Sequence, residues 1–353
     1  MNARLILIAI LAAAALAPVG ASAQDGITLR GLVDISANGQ RDTQWLNSNN
    51  TGDGNFDPLR ARLFIDGHRE NTSIFLQVLY SQQSYSPIRL FGAYIQHKVF
   101  DQWLTLEAGL VPNHAGTWAP YTYSNQNPLV GIPLSYYWKS NLPSRSMPND
   151  LDDLLAHRGQ GQTGISYADS NGVRGKNYAT LPILYDNCWN YGFFAMGSAG
   201  RAQYIIGATL NPPGGALQQP DLNENIAVQG RFGYTVVPAL TLWVSGAHGA
   251  YLSRDVAPYL PAGRTVNDYD QTLLGFAAWW KWGHLDVWGE TAFNQYDTPL
   301  RAEGLSNTSW WVQAVYTLFP QWELALRYDD LRHEKVRDSG GTEMPWDLNV
   351  YRW

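Results

Sequence analysis

The sequence predicts an all-β chain: a transmembrane antiparallel up-and-down β-barrel of about fourteen to sixteen strands with a long third extracellular loop. Three observations predict it. Apolar and polar side chains alternate with a period of two in segments of about ten residues, the period and length of barrel strands. The connections between these segments are alternately tight and long. The composition is poor in charge and rich in aromatics, with 15% charged residues, 15 Trp, 20 Tyr and 11 Phe, where a soluble domain carries about 25% charge. Mean hydropathy is nonetheless −0.26. A disordered chain would lack the aromatics, and a polytopic helical membrane protein would be apolar throughout. The single cysteine, Cys188, excludes a disulfide framework, a cysteine-rich zinc site and a CxxC motif.

Residues 1–23 read as a secretory signal peptide, with Arg4 as the positive end, Leu5 to Ala17 as the apolar core and Ala21-Ser22-Ala23 as the cleavage box. The apolar run is shorter than the ~20 residues of a spanning helix. Cleavage removes one positive charge and no acid, so the formal charge goes from −6 to −7. Export without a usable disulfide points to a Gram-negative envelope, and no cysteine follows the cleavage box to carry a lipid anchor. Residues 24–353 are then the barrel.

Fourteen strands are read, at 26–37, 57–68, 72–81, 88–99, 102–111, 189–198, 202–211, 225–235, 240–251, 271–281, 284–296, 308–318, 321–333 and 346–353. In 321–333, Trp322, Leu324, Leu326 and Tyr328 alternate with Glu323, Ala325, Arg327 and Asp329. In 284–296, Leu285, Val287, Gly289, Thr291 and Phe293 lie opposite Asp286, Trp288, Glu290 and Asn294. In 57–68, Leu59, Ala61, Leu63 and Ile65 lie opposite Arg60, Arg62, Phe64 and Asp66. Short connections fall near 69–71, 100–102, 199–200, 236–239, 282–283 and 319–321; longer ones, rich in Asn, Asp, Ser, Gly and Pro, at 38–56, 82–87, 112–188, 212–224, 252–270, 297–307 and 334–345. An even strand count with this alternation puts tight turns and both termini on the periplasmic side and long loops outside.

Trp243, Trp279, Trp280, Trp282, Trp288, Trp310, Trp311 and Trp322 sit in or beside strands, several near strand ends, where aromatics with a polar handle suit a lipid–water boundary. The connection 112–188 is too long to be passive. Its apolar run 128–138, PLVGIPLSYYW, would be costly in water. The loop therefore either folds inward as a pore constriction, presenting His114, Trp118, Tyr136, Tyr137 and Trp138, or caps the mouth. A short hairpin near 163–167 and 178–185 would add strands.

Two segments carry a family resemblance. GLVDISA at 31–37 resembles the opening strand of Gram-negative porins, and LEAGLVPNHAG at 106–116 resembles the fifth strand and following turn of phosphate-selective porin O/P-type proteins. The resemblance implies an outer-membrane channel, usually sixteen-stranded and homotrimeric, with the third loop narrowing the pore. Those proteins use lysines for the anion, whereas this chain has only Lys98, Lys139, Lys176, Lys281 and Lys335. Phosphate selectivity is accordingly not transferred. Trp353 resembles the terminal aromatic of barrel assembly, yet Asp347 and Asn349 share its face while Leu348 and Val350 take the other. A further hairpin beyond this poor closing strand would restore sixteen strands.

Alternation also assigns the pore wall. Arg62, Glu107, Arg231, Glu290 and Arg327 fall near mid-strand, and Arg60, Asp66, Gln96, Lys98, Asp286, Glu323 and Asp329 nearer strand ends. Fixed charges at close range set ion preference; the alternative is that they pair to satisfy a buried polar interior. No spacing points to a catalytic triad, a metal site, a cofactor or a nucleic-acid surface. The expected function is passive diffusion of small polar solutes or ions across the outer membrane. Alternatives are a substrate-specific channel for an anion or sugar with a binding constriction, and a closed barrel acting as enzyme or adhesin.

Overall fold

The computed structural model describes residues 26–35, 59–81, 88–121, 123, 125–129, 131–163, 165, 167, 180–184, 189–215 and 225–353. The signal segment 1–23 and Cys188 lie outside the described residues. The strands are β1 (Gly26–Ile35), β2 (Leu59–Arg69), β3 (Thr72–Ser81), β4 (Ile88–Phe100), β5 (Leu104–Pro112), β6 (Trp189–Ala199) and β7 (Ala202–Thr209). They continue with β8 (Ala227–Val237), β9 (Leu240–Ala250), β10 (Asp270–Trp282), β11 (Leu285–Thr298), β12 (Arg301–Phe319), β13 (Trp322–His333), β14 (Lys335–Arg337), β15 (Glu343–Pro345) and β16 (Val350–Arg352). Fourteen of them, β1 to β13 and then β16, form one antiparallel sheet in chain order, while β14 and β15 pair only with each other. Each of the fourteen segments read from alternation falls on one of these fourteen strands. Among the described residues, β1 has a ladder only with β2 and β16 only with β13.

The tight connections explain themselves locally. Glu70 (φ 51°), Asp101 (φ 30°), Gly200 (φ 60°), Gly283 (φ 57°) and Gln321 (φ 84°) each take the left-handed backbone in a tight connection. Hairpin turns need that conformation to follow the twist of the flanking strands. Glycine reaches it without strain; Gln321 is the least natural occupant.

Register divides every strand into two faces. Leu29, Leu63, Ile206, Phe232, Leu274, Phe276, Phe293, Leu324 and Leu326 are exposed on the outer face. Near the tight turns, Phe100, Trp103, Trp280, Trp282, Phe319 and Trp322 form an exposed aromatic girdle, as at the boundary of a lipid core. A charge placed on this face should cost more the deeper it lies. Phe276→Arg, mid-strand, is expected to destabilise by about 2–4 kcal/mol and Trp282→Arg by about 0–1 kcal/mol, read as urea midpoints of folding into lipid vesicles.

Register also corrects several sequence readings. Trp280, Trp282, Trp310 and Trp322 do face outward, but Trp243, Trp279, Trp288 and Trp311 share the inner face. The expected loop 297–307 is strand: β11 and β12 extend past one another to Thr298↔Arg301 through a bulge. Within 334–345, β14 and β15 form a small hairpin. The hairpin expected near 163–167 and 178–185 falls largely outside the described residues; within that span Thr180 bridges to Pro143. The polar Asp347 and Asn349 do not spoil the closing strand, because β16 begins only at Val350.

The described residues of the long loop pack in two separate clusters. The loop carries the short helices α1 (Leu134–Tyr137) and α2 (Leu151–Ala156). Ala115, Trp118, Ile132, Leu134, Tyr136, Tyr137, Trp138, Ile183 and Leu184 pack on the inner wall against Ala247, Leu273, Ala292, Trp311 and Leu331. Leu142, Leu154, Leu155, Ile165, Tyr167 and Leu181 instead join Tyr251, Leu252, Val256, Tyr296, Val336 and Trp346 above the strands. Each such aliphatic side chain buried contributes roughly 1.5–3 kcal/mol. Asp347 ties the upper part down by accepting backbone N–H bonds from Asn141 at 3.0 Å, Gly159 at 2.7 Å and Leu348 at 2.8 Å.

Candidate functional site

The inner face is polar where the outer is apolar. One row runs across ten strands without a break: Gln96, Glu107, Phe194, Gly207, Gln229, Ala247, Leu273, Asn294, Asn307 and His333. In phase with it lie Arg62, Asp66, Lys98, Arg231, Asp286, Glu290, Glu323, Arg327 and Asp329, together with the register position of Arg60. All twelve residues assigned to the wall by alternation therefore share one face.

That face curls around the loop. Tyr123 Oη donates to Gln77 of β3 at 2.9 Å, the Ala115 N–H to Gln229 of β8 at 3.0 Å, and Tyr136 Oη to Glu290 of β11 at 2.6 Å. The Leu134 N–H donates to Asp329 of β13 at 3.2 Å, and Arg352 of β16 donates to the Ile132 carbonyl. A flat sheet could not present strands this far apart in sequence order to one short segment.

Three bonded groups anchor the loop. In the first, Glu107 accepts from Gln96 at 2.7 Å and lies 2.9 Å from His114 Nε2. In the second, Glu290 holds Tyr136 and the Thr117 hydroxyl (3.2 Å), and Arg231 donates to the Gly116 carbonyl. Tyr136 Oη in turn accepts from the Thr117 and Trp118 N–H groups at 3.0 and 3.3 Å. Burial, with the Glu290 charge beside it, pushes the Tyr136 hydroxyl well above its ordinary range, so it keeps the proton it donates. In the third, Asp329 accepts from Arg327 at 3.0 Å and from Arg352 at 2.8 Å, and Arg327 also lies over the Trp118 ring at 5.4 Å. Most of these charges are thus answered by the loop as well as by each other.

Gly116 makes the second group possible. A Cβ there would collide with Tyr136 Oη. Gly116→Ala is expected to cost about 1–3 kcal/mol, as overpacking does, and to break the Tyr136–Glu290 contact. Denaturant midpoints compared with Tyr136→Phe would check this.

The remaining predicted residues spread along the wall. Arg62 faces the Tyr123 ring at 5.6 Å, and burial raises the Tyr123 hydroxyl to about 12 against the opposing pull of Arg62 and Arg30. Asp66 is paired with Arg30 at 2.7 Å. Lys98 is exposed near the tight turns, Asp286 lies 3.6 Å from Lys281, and Glu323 stands opposite Thr317. Tyr137 and Trp138 are buried in the loop's packing cluster. Sequence reasoning missed Arg30 and Arg352, although both alternate in phase with the predicted wall. Gln77 and Gln229 are in phase as well; sequence reasoning had no signal for Thr117, whose hydroxyl partner Glu290 lies on β11.

Two cavities flank the loop, and Asn125 and Gln126 line both. One, about 340 Å³, is walled by Arg30, Arg231, His114, Phe75, Tyr94 and Trp189, with Phe75 and Trp189 parallel at 5.8 Å. The other, about 320 Å³, is walled by Tyr121, Trp279, Asp286, Trp288, Gln313 and Glu323. The loop therefore separates a basic compartment from an acidic one.

No family model matches the chain, and no curated protein matches it. Among solved structures it is similar to an anion-selective porin from Comamonas acidovorans, with 13% identity, 88% of this chain and 80% of that chain covered, and a TM-score of 0.50. It is also similar to OmpF from Salmonella typhi in complex with daunomycin, with 10% identity, 91% and 83% covered, and a TM-score of 0.50. At such identities the likeness concerns the fold, that of a porin β-barrel.

Proposed function

We propose that this protein is an outer-membrane channel for passive diffusion of small polar solutes or ions, without enzymatic activity. The observation that carries it is the polar inner face wrapped around a bonded loop, with water-sized space on both sides and an apolar, aromatic-girdled exterior. Closure of such a sheet into a barrel would pair its edge backbone groups, as crossing lipid requires. The twelve wall residues then line the pore, and the inward stretch of the loop, with His114, Trp118, Tyr136, Tyr137 and Trp138, narrows it. Mixed-sign charge on opposite walls filters ions electrostatically.

Single-channel recording in planar bilayers tests the reading: stepwise ohmic conductance is expected, and none at all from folded protein overturns it. Small steps blocked by one solute would favour the substrate-specific alternative, which the aromatic lining of both cavities supports. Arg62→Glu is expected to move the reversal potential toward cation preference and Glu290→Lys toward anion preference. If neither moves it, the wall assignment fails. Homotrimeric assembly belongs to the same proposal and is open to chemical cross-linking. The likeness to phosphate-selective porins rests on the segment 106–116 alone, and phosphate is not part of the proposal.

A further inference from the structure

The acidic cavity has features that diffusion alone does not need. Along β10 the inward side chains Gln271, Leu273 and Ala277 are buried, but Trp279 keeps 39% of its surface exposed. Its cross-strand partner on β11 is Trp288. Trp118 stacks on Trp288 at 5.1 Å and 17°, while Tyr121 meets it at 4.1 Å and 51°. The result is an angled aromatic wall braced from behind. Beside it, Asp286 Oδ1 is buried with no hydrogen-bond partner among the described residues, and the other oxygen, Oδ2, lies 3.6 Å from the exposed Lys281. Glu323 and the Gln313 amide complete the lining. Lys281 and Arg327 do not line the cavity, and Arg327 is already paired with Asp329.

We infer that this cavity is a subsite for small organic cations with a flat apolar body, such as aromatic ammonium compounds. The inference rests on the channel reading for its place along a solute path. Indole and phenol faces are negative and attract an ammonium group held over them, more strongly once it is desolvated. The two carboxylates add Coulomb attraction and repel anions of the same shape. The volume, about 320 Å³, is at the lower end of small-ligand pockets, roughly 300–1,000 Å³. A neutral sugar could lie on the same rings but would draw nothing from two carboxylates beyond hydrogen bonds.

Titration calorimetry of the folded, full-length chain in detergent micelles tests this with benzyltrimethylammonium, benzyl alcohol, glucose and benzoate as probes. Saturable binding of benzyltrimethylammonium is expected, about tenfold weaker (1.4 kcal/mol) in Asp286→Asn and in Trp279→Ala, with the neutral probes weaker than the cation and benzoate without saturable heat. Should Trp279→Ala fail to fold, Asp286→Asn with Glu323→Gln carries the test. Unchanged affinity in Asp286→Asn, equal affinity for benzyl alcohol or glucose, or no saturable binding of the cation overturns the inference. Because calorimetry needs no current, its failure beside normal single-channel steps would leave the channel reading intact. Binding by a protein that carries no current would do the reverse.

Discussion

Asp329→Ala is expected to destabilise the protein by about 3–5 kcal/mol, the cost of stranding a buried charge partner. The carboxylate is 1% exposed and receives Arg327 at 3.0 Å, Arg352 at 2.8 and 3.1 Å, and the Leu134 N–H at 3.2 Å. Its loss leaves two guanidinium groups facing each other with no anion between them and frees the N-terminus of α1. It also loosens β16, whose described ladder on β13 is only three residue pairs long. Asp329→Asn should lose less, since an amide oxygen can still accept. Arg337→Ala, removing an ion pair whose partners are 74% and 52% exposed, should fall within about 1 kcal/mol of the parent. Urea titrations in lipid vesicles, read by electrophoretic mobility of unheated samples, supply the comparison. An Asp329→Ala midpoint as small in shift as that of Arg337→Ala would show that the buried group is not what locks loop to wall.

Replacing residues 117–137 with a short Gly-Ser linker is expected to raise single-channel conductance several-fold. This stretch lies between the basic and acidic compartments and fills the space they would otherwise share. Leu142, Leu154, Leu155, Ile165, Tyr167 and Leu181 have their own packing partners in Tyr251, Val336 and Trp346, so they should stay in place. Glu290→Ala makes the same argument with one residue. It releases both Tyr136 and Thr117 and should raise current noise before it raises mean conductance. If the excised protein folds and its conductance equals that of the parent, solutes do not pass beside this part of the loop.

Much of the fold was legible because a barrel imposes a local rule. Along 322–333 each inward Glu323, Arg327 or Asp329 has an outward Leu324, Leu326 or Tyr328 beside it, and a period of two survives without knowledge of any partner strand. The rule fails where turn-forming and charged residues interrupt it. Between the buried Tyr296 and Leu305 lie Asp297, Pro299, Arg301, Glu303 and Gly304, so continuing strand looks like loop. Adjacent tryptophans defeat it as well: Trp279 and Trp280, or Trp310 and Trp311, are identical to any hydropathy pattern, and only register turns one inward and the other out.

The sequence by itself determined where the fourteen strands of the main sheet fall and that the ionisable residues it singled out share one face, since each follows from neighbours one or two residues away. It also required cover for the apolar run 128–138. Only the tertiary structure decided what covers it. Tyr136 meets Glu290 across 154 positions and Leu134 meets Asp329 across 195. Pairings of that range are set by how the sheet curls and where the loop fits inside it, and short-range periodicity carries no record of either.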